Sequence, residues 1–297
     1  MQGGEAIFAA PVTVSDVPRH KKECRYMYAA SSREALEGAR VELEAALRGV
    51  DADAEIAIGT ELLSVAETVA DNRALRAALA DSSAAPGSRA AVAESVLAGK
   101  VHEITRATVA SAAARSWSKD SDLSAALQSL GREAMLQSAK RQDKLDKVEA
   151  ELFRLGTIIK DSPELELALS DRSRSGQDRA ELLTRLITGK VEPVTERLAV
   201  QAVVVDQLAP GDAIDQLSAL AAATNGRKVA YVASAGELSA AQRTELAEKL
   251  SRIFDAPVTL HVEIDPELLG GVVVRVGDER IDGSIAGKLA ALRRSLR

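Results

Sequence analysis

Disulfides are excluded at the outset: the 297-residue chain has one cysteine, Cys24, which cannot close an internal cross-link and fits a reducing compartment. Aromatic residues make up only 2% of the chain, too few to build the stacking platforms of a single-strand nucleic-acid binder. A basic footprint is missing as well. Net charge is −6 and the densest basic runs are "KKECR" at 21–25 and "AKRQDKLDK" at 139–147, so nucleic-acid binding lacks its electrostatic drive. No apolar stretch approaches the ~18 uninterrupted residues of a membrane span. The three histidines, His20, His102 and His261, lie on unrelated segments without metal-ligand spacing. G-x-S-x-G, a Walker loop and a G-x-G-x-x-G following a strand are all absent. No catalytic residue, cofactor site or metal site is therefore expected, and the chain does not read as an enzyme.

What is present is alanine-rich helix. Hydrophobic residues reach 46% and charged residues 28%, enough for a folded and soluble chain, and alanine is the residue that costs least in a helix. Residues 1–26 stand apart: they carry Gly3, Gly4, Pro11 and Pro18 and no helical period. They are expected to be a disordered or artefactual leader with Met27 as the start, a structured interaction arm being the other reading. From there on, the sequence aligns with itself at an offset of 90, without a gap, from about Asp53 to Leu130. Asp71 falls on Asp161, Leu75 on Leu165, Leu79 on Leu169, Asp81 on Asp171 and Arg89 on Arg179. Gly99-Lys100-Val101 falls on Gly189-Lys190-Val191. A shared offset held this long is a tandem duplication.

Each copy reads as a helical bundle, the first over 27–135 and the second over 136–226. Leu36, Ala39, Leu43, Ala46 and Leu47 form the apolar stripe of the first helix. Gly99 and Gly189 each stop a helix, which outweighs the faint likeness of Gly-Lys to a phosphate loop. Pro163 and Pro193 stand where helices begin. Asp51, Asp53 and Glu55 gather at a helix N-terminus, where negative charge is stabilising. Trp117 is expected between helices, a ligand contact being the open alternative. The segment 121–147 has no proline and one glycine, and predicts one long helix joining the copies.

From residue 227 the period changes. "KVAYVASA" alternates, Ser239 opens an S-x-x-Q capping box ahead of Leu246, Leu250 and Ile253, and "PVTLHVEID" alternates strictly. Val258, Leu260, Val262 and Ile264 face one way; Thr259, His261, Glu263 and Asp265 face the other and read as a solvated face. "VVVRV" and "RID" complete a small α+β domain over 227–297, with Gly277-Asp278 as the hairpin turn. A closing helix aligns Ile285, Leu289, Leu292 and Leu296. The fold class is mostly α: two tandem bundles, then this module. Gly270-Gly271 enters a strand rather than a helix, so it predicts a close backbone approach, not a phosphate cradle.

The C-terminal residues resemble a known family. Alternating Val258 and Leu260, then Ile264-Asp265, Leu268, Gly270-Gly271, Val272, Val274, Arg275 and Gly277, followed by Ile281-Asp282-Gly283-Ser284, match the closing pattern of the delta subunit of F-type ATP synthase, also called OSCP. The resemblance covers about 40 residues closely, and the second copy plus the α+β module more loosely. It implies a non-catalytic stalk subunit that binds the N-terminal helices of the alpha subunits and holds a b-type stalk subunit. The F1 head would thereby be kept from turning with the rotor. It implies further a peripheral place on the cytoplasmic face of the cell membrane. The extra bundle resembles longer actinobacterial forms. It leaves open which copy receives alpha, the second being favoured by its link to the C-terminal module. A helical-repeat adaptor unrelated to ATP synthase is the alternative.

Overall fold

A computed structural model describes residues 30–205, 208–266, 268–276 and 279–285. The leader 1–26, the Gly277-Asp278 turn and the helix expected after Ile285 lie outside them. The chain divides into two units, one reaching Asn225 and one starting at Gly226.

The first unit holds eleven helices among its described residues: α1 Ala30–Leu47, α2 Ala52–Asp71, α3 Arg73–Ala80, α4 Pro86–Leu97, α5 Glu103–Ala114, α6 Asp120–Arg141, α7 Leu145–Lys160, α8 Pro163–Ser170, α9 Gly176–Ile187, α10 Pro193–Val205 and α11 Pro210–Thr224. The starts of α3, α4, α5 and α6 recur at α8, α9, α10 and α11 with the offset of 90. Proline stands at or beside the first position of α4, α8 and α11, where its missing N–H costs nothing. Gly99 and Gly189 follow α4 and α9 with φ of 68° and 74°, the left-handed geometry that glycine adopts without strain.

The duplication extends to polar bonds between helices. Glu61 on α2 accepts from the His102 amide at 2.8 Å and from the Thr105 hydroxyl at 2.6 Å. Glu151 on α7 accepts from the Glu192 amide at 2.8 Å and the Thr195 hydroxyl at 2.7 Å. Arg89 donates to the carbonyls of Asp81, Ala84, Ala113, Ala114 and Arg115, and Arg179 to those of Leu169, Val203 and Val204. Both arginines satisfy the last carbonyls of the neighbouring helix, which have no partner inside that helix.

Two cores fill the unit. The first gathers α1 to α5 and the front of α6, through Leu123, Ala126, Leu127 and Leu130. The second gathers α7 to α11 with Met135, Leu136 and Ala139 of α6 and Leu63 of α2. Helix α6 therefore belongs to both, and the expected boundary at 135/136 falls inside it. Where α2 crosses α6, a Cβ on Gly59 would lie 2.8 Å from the Gly131 carbonyl oxygen, so the two backbones touch without side chains between them.

Three expectations for this unit need revision. The single helix predicted over 121–147 breaks after Arg141: Asp143 takes φ 57° and the Lys144 amide bonds back to the Ala139 carbonyl at 2.8 Å. Aspartate tolerates this conformation better than most side chains, so no glycine or proline announces the break. Glu55 is not a surface charge at a helix start. Its side chain is fully buried and bonds Arg141 at 2.6 Å, while Arg141 also binds the Leu47 and Val50 carbonyls. Burial raises the Glu55 carboxyl above its ordinary value of 4.5, the Arg141 charge opposing the shift. Ala46 is exposed while Leu36, Ala39, Leu43 and Leu47 are buried. Trp117 is a core residue, its Nε1 donating to the Ala112 carbonyl at 2.8 Å.

The second unit is a four-stranded sheet and a helix: β1 Lys228–Ser234, α12 Ala240–Phe254, β2 Val258–Ile264, β3 Val272–Val276 and β4 Glu279–Asp282. Strand order is β2-β1-β3-β4, with β1 parallel to β2 and antiparallel to β3, and β4 antiparallel to β3. Ser239 and Gln242 form the expected reciprocal cap of α12. Ala230, Val232, Val274 and Val276 pack with Leu246 and Leu250 on one face of the sheet. Phe254 joins them, whereas Ile253, one residue off the stripe, is exposed. On the other face, His261 is 3% exposed, against the expectation of a solvated side chain. Its ring stands edge-on to Tyr231, centroids 5.5 Å apart, and Arg275 lies 5.1 Å over the same tyrosine. Alternation placed His261 on the face it shares with Tyr231 but could not report that its side chain is buried there.

Candidate partner-binding sites

At one end of the sheet, where β1 and β2 stop and β3 begins, the backbone is held by a set of short bonds. The Asp265 amide donates to Ser234 O at 2.9 Å and the Leu268 amide to Asp265 O at 3.2 Å. Gly283 N reaches Val272 O at 2.9 Å, and Ile285 N reaches Gly270 O at 3.0 Å. Gly271 has φ 84°, and a Cβ there would lie 2.5 Å from the Gly283 carbonyl oxygen. Only a bare backbone fits between these two segments. The hydroxyl and amide of Ser284 donate to Asp282 Oδ1 at 2.6 and 3.0 Å, which fixes the turn after β4.

Of the residues singled out in the sequence, Asp265, Leu268, Gly270, Gly271, Asp282, Gly283 and Ser284 come together at this end. Val274 and Ile281 belong to the core behind it, Arg275 lies on the opposite face over Tyr231, and Gly277 is outside the described residues. None of them forms a donor set for chemistry; among the described residues no group of three His, Cys, Asp or Glu is placed to hold a metal. What the motif frames is apolar surface. Leu269 is 87% exposed, and Ile264 and Ile285 stand about half exposed beside the same loop. Sequence patterning missed these three because each sits in an otherwise regular apolar context.

The helical unit offers a different kind of site, a groove along two helices. Between α1 and α5 it is lined by Glu42, Ala46, Ile104, Ala107 and Thr108, with His102 and Glu103 at its end. Glu42 bridges the two helices, bonded to the Ser111 hydroxyl and, at 2.6 Å, to Arg115. The groove between α6 and α10 is bridged at the same repeat positions, Arg132 reaching Gln201 Oε1 at 2.8 and 3.0 Å. Its open end is lined by Lys144, Glu192, Val194 and Arg197 together with Asp53 and Ile56 of α2. Glu192 bonds Lys147 at 2.6 Å and Lys144 at 3.0 Å. These bonds hold its carboxyl below the ordinary range, and raise Lys147 in turn. The described helices include none long and apolar enough to cross a membrane.

The family model described as "ATP synthase delta (OSCP) subunit" matches residues 132–296. A Rhodococcus opacus protein named ATP synthase subunit delta is 51% identical over 91% of this chain and 99% of its own length. Proteins of the same name from Nocardia farcinica and Corynebacterium urealyticum are 49% and 45% identical over 91% and 90% of this chain, and over 100% and 99% of their own lengths. A chain from the solved Toxoplasma gondii mitochondrial ATP synthase hexamer is 20% identical, covering 56% of this chain and 94% of that one, with a TM-score of 0.35, too low to carry a structural argument. Matched along both its helical half and its closing module, the chain belongs to the ATP synthase delta (OSCP) subunit family.

Proposed function

We propose that the chain is a non-catalytic stator subunit of a rotary, proton-driven ATP synthase. It joins the F1 head to the peripheral stalk, and thereby lets rotation within the complex drive ATP synthesis. The observation that carries this reading is the family match running from α6 to residue 296, across both the helices and the sheet module. Division of labour follows the two kinds of surface. The helical unit receives N-terminal helices of the alpha subunits, since a groove between two helices can bury the i, i+3, i+4, i+7 stripe of a third. The sheet module holds a b-type stalk subunit through Leu269, Ile264 and Ile285, exposed apolar side chains on a loop that Gly271 and Asp282 keep rigid.

A stator must resist shear rather than accelerate a reaction, and the helical unit is built for that. Arg89, Arg179, Glu61 and Glu151 tie helices together by bonds between side chains and backbone, so adjacent helices cannot slide without breaking charge-assisted bonds, those of the two arginines being buried. Through these partners the chain sits peripherally on the cytoplasmic face of the cell membrane. The test is affinity capture of the tagged full-length protein from native membranes. Alpha and b subunits recovered in stoichiometric amounts support the reading; capture that brings neither overturns it.

A further inference from the structure

The sheet of the second unit places two like charges side by side. Strand register lines up His261, Tyr231, Arg275 and Arg280 in one row across β2, β1, β3 and β4, so their side chains leave the sheet on the same side. Exposure grows along the row: His261 is buried, Tyr231 is half-buried, and Arg275 and Arg280 are exposed. The two arginines are direct cross-strand partners. Like charges set directly opposite each other destabilise a sheet.

Neither charge is neutralised within the unit. Arg275 makes no ion pair among the described residues; its guanidinium lies over the Tyr231 ring, 5.1 Å from the centroid. A guanidinium laid on a ring still presents its donor edge for two parallel bonds to a carboxylate. Arg280 comes only within 4.0 Å of Asp282 Oδ2, and the other oxygen of Asp282 already holds the hydroxyl and amide of Ser284. Glu263, on the same face, stands two strands and two residues from Arg275, roughly 12 Å between backbones. The arginine row lies two residues, about 7 Å, from the Val273–Asp282 pair. Past that pair the chain turns into the end of the sheet where Leu269, Ile264 and Ile285 are exposed.

We infer that Arg275 and Arg280 form a carboxylate clamp for an acidic segment of the stalk partner that covers Leu269, Ile264 and Ile285. Charge selects the occupant. Two adjacent guanidiniums, one held in place by Tyr231, repel each other in the unbound protein, and carboxylates seated between them turn that repulsion into charge-assisted bonds. A basic segment would add to the repulsion and is rejected. Position sets the pattern that the partner must carry: apolar side chains at the end of the sheet, and acidic ones about 7 Å further on, between one and two turns of a helix. Naming the stalk subunit as the partner rests on the stator reading; the chemistry of the clamp does not.

The test measures binding of full-length variants to the detergent-solubilised b-type subunit at low and at physiological salt, where the screening length falls from about 30 Å to about 8 Å. Arg275→Gln and Arg280→Gln are each expected to weaken binding at low salt by about fivefold or more and to flatten its salt dependence. Leu269→Ala should weaken binding and leave the salt dependence intact. Arg280→Gln should melt no lower than the parent, because it removes a like-charge contact; lost recognition is thereby separated from lost folding. Parent-like affinity and salt dependence in both arginine variants would overturn the inference and leave the stator reading standing. A parent protein that binds no b-type subunit at either salt would overturn the inference together with the stator reading of the sheet module. Vesicles of anionic lipid that bind the parent and not Arg280→Gln, with binding of the b-type subunit unchanged, would make a membrane surface the occupant and overturn the inference.

Discussion

Replacing Arg89 by methionine should destabilise the helical unit about twice as much as replacing Arg179, although the two occupy the same place in the repeat. Arg89 Nε donates to Ala113 O at 2.7 Å in a buried setting, and its two terminal nitrogens reach four more carbonyls at 2.7 to 3.0 Å. Arg179 has one short bond, to Val203 O at 2.8 Å; the other two are 3.4 Å long. Its Nε has no hydrogen-bond partner among the described residues. A buried charge-assisted bond contributes about 1.5–3 kcal/mol, and a carbonyl that water can reach after the substitution loses much less. Counting the buried bond of Arg89 in full and its four part-buried bonds at roughly 0.5 kcal/mol each gives about 4 kcal/mol. For Arg179 the short buried bond to Val203 counts in full and the two 3.4 Å bonds, beyond the usual N–H···O range, count for almost nothing, which gives about 2 kcal/mol. In a unit of this size, melting points should fall by about 10 °C and about 5 °C respectively. Urea unfolding followed by circular dichroism reads both variants against the parent. Equal losses, or a larger loss at Arg179, would refute the assignment of stability to these bonds.

Other outcomes follow from the same geometry. Gly271→Ala forces a side chain into left-handed backbone against the Gly283 carbonyl, and should cost about 2–3 kcal/mol in chemical denaturation. Leu269→Asp should leave melting unchanged, because the side chain is almost fully exposed, while weakening capture of the b-type subunit by about tenfold. Burial raises the folded-state pKa of Glu55 above 4.5, so the protonated form is favoured in the native protein and that contribution fades as pH rises from 4.5 through the folded value. Glu55→Gln should therefore flatten the melting profile over that window; an unchanged slope would contradict the assignment. In-frame deletion of 53–130 removes α2 and half of α6, strips cover from Met135 and Leu136, and should yield aggregated protein in gel filtration. A soluble, F1-binding product would contradict the shared-helix packing.

Helix starts, the 90-residue repeat and the sheet module were legible in the sequence because each rests on local rules. Proline at N1, glycine with positive φ after α4 and α9, the Ser239–Gln242 cap and the alternation of β2 all act within a few residues. The missed features depend on contacts between distant segments. Asp143 breaks the α6–α7 join with a conformation that its side chain permits but does not announce. Glu55 reads as a helix-start charge until Arg141, 86 positions away, is packed over it. His261 alternates like an exposed strand residue, and nothing within β2 announces that it is buried edge-on to Tyr231 of the next strand. Extending the alignment back to α1 was within reach and sets Val41 on Gly131, though only the structure shows that the first is exposed and the second lies under Gly59.

The stator role is tested most directly by depleting this chain from membranes that make ATP and then restoring it. Proton-driven ATP synthesis should disappear on depletion while detached F1 still hydrolyses ATP, and should return when the full-length protein is added back at one copy per F1. Synthesis that continues undiminished in fully depleted membranes would contradict the account.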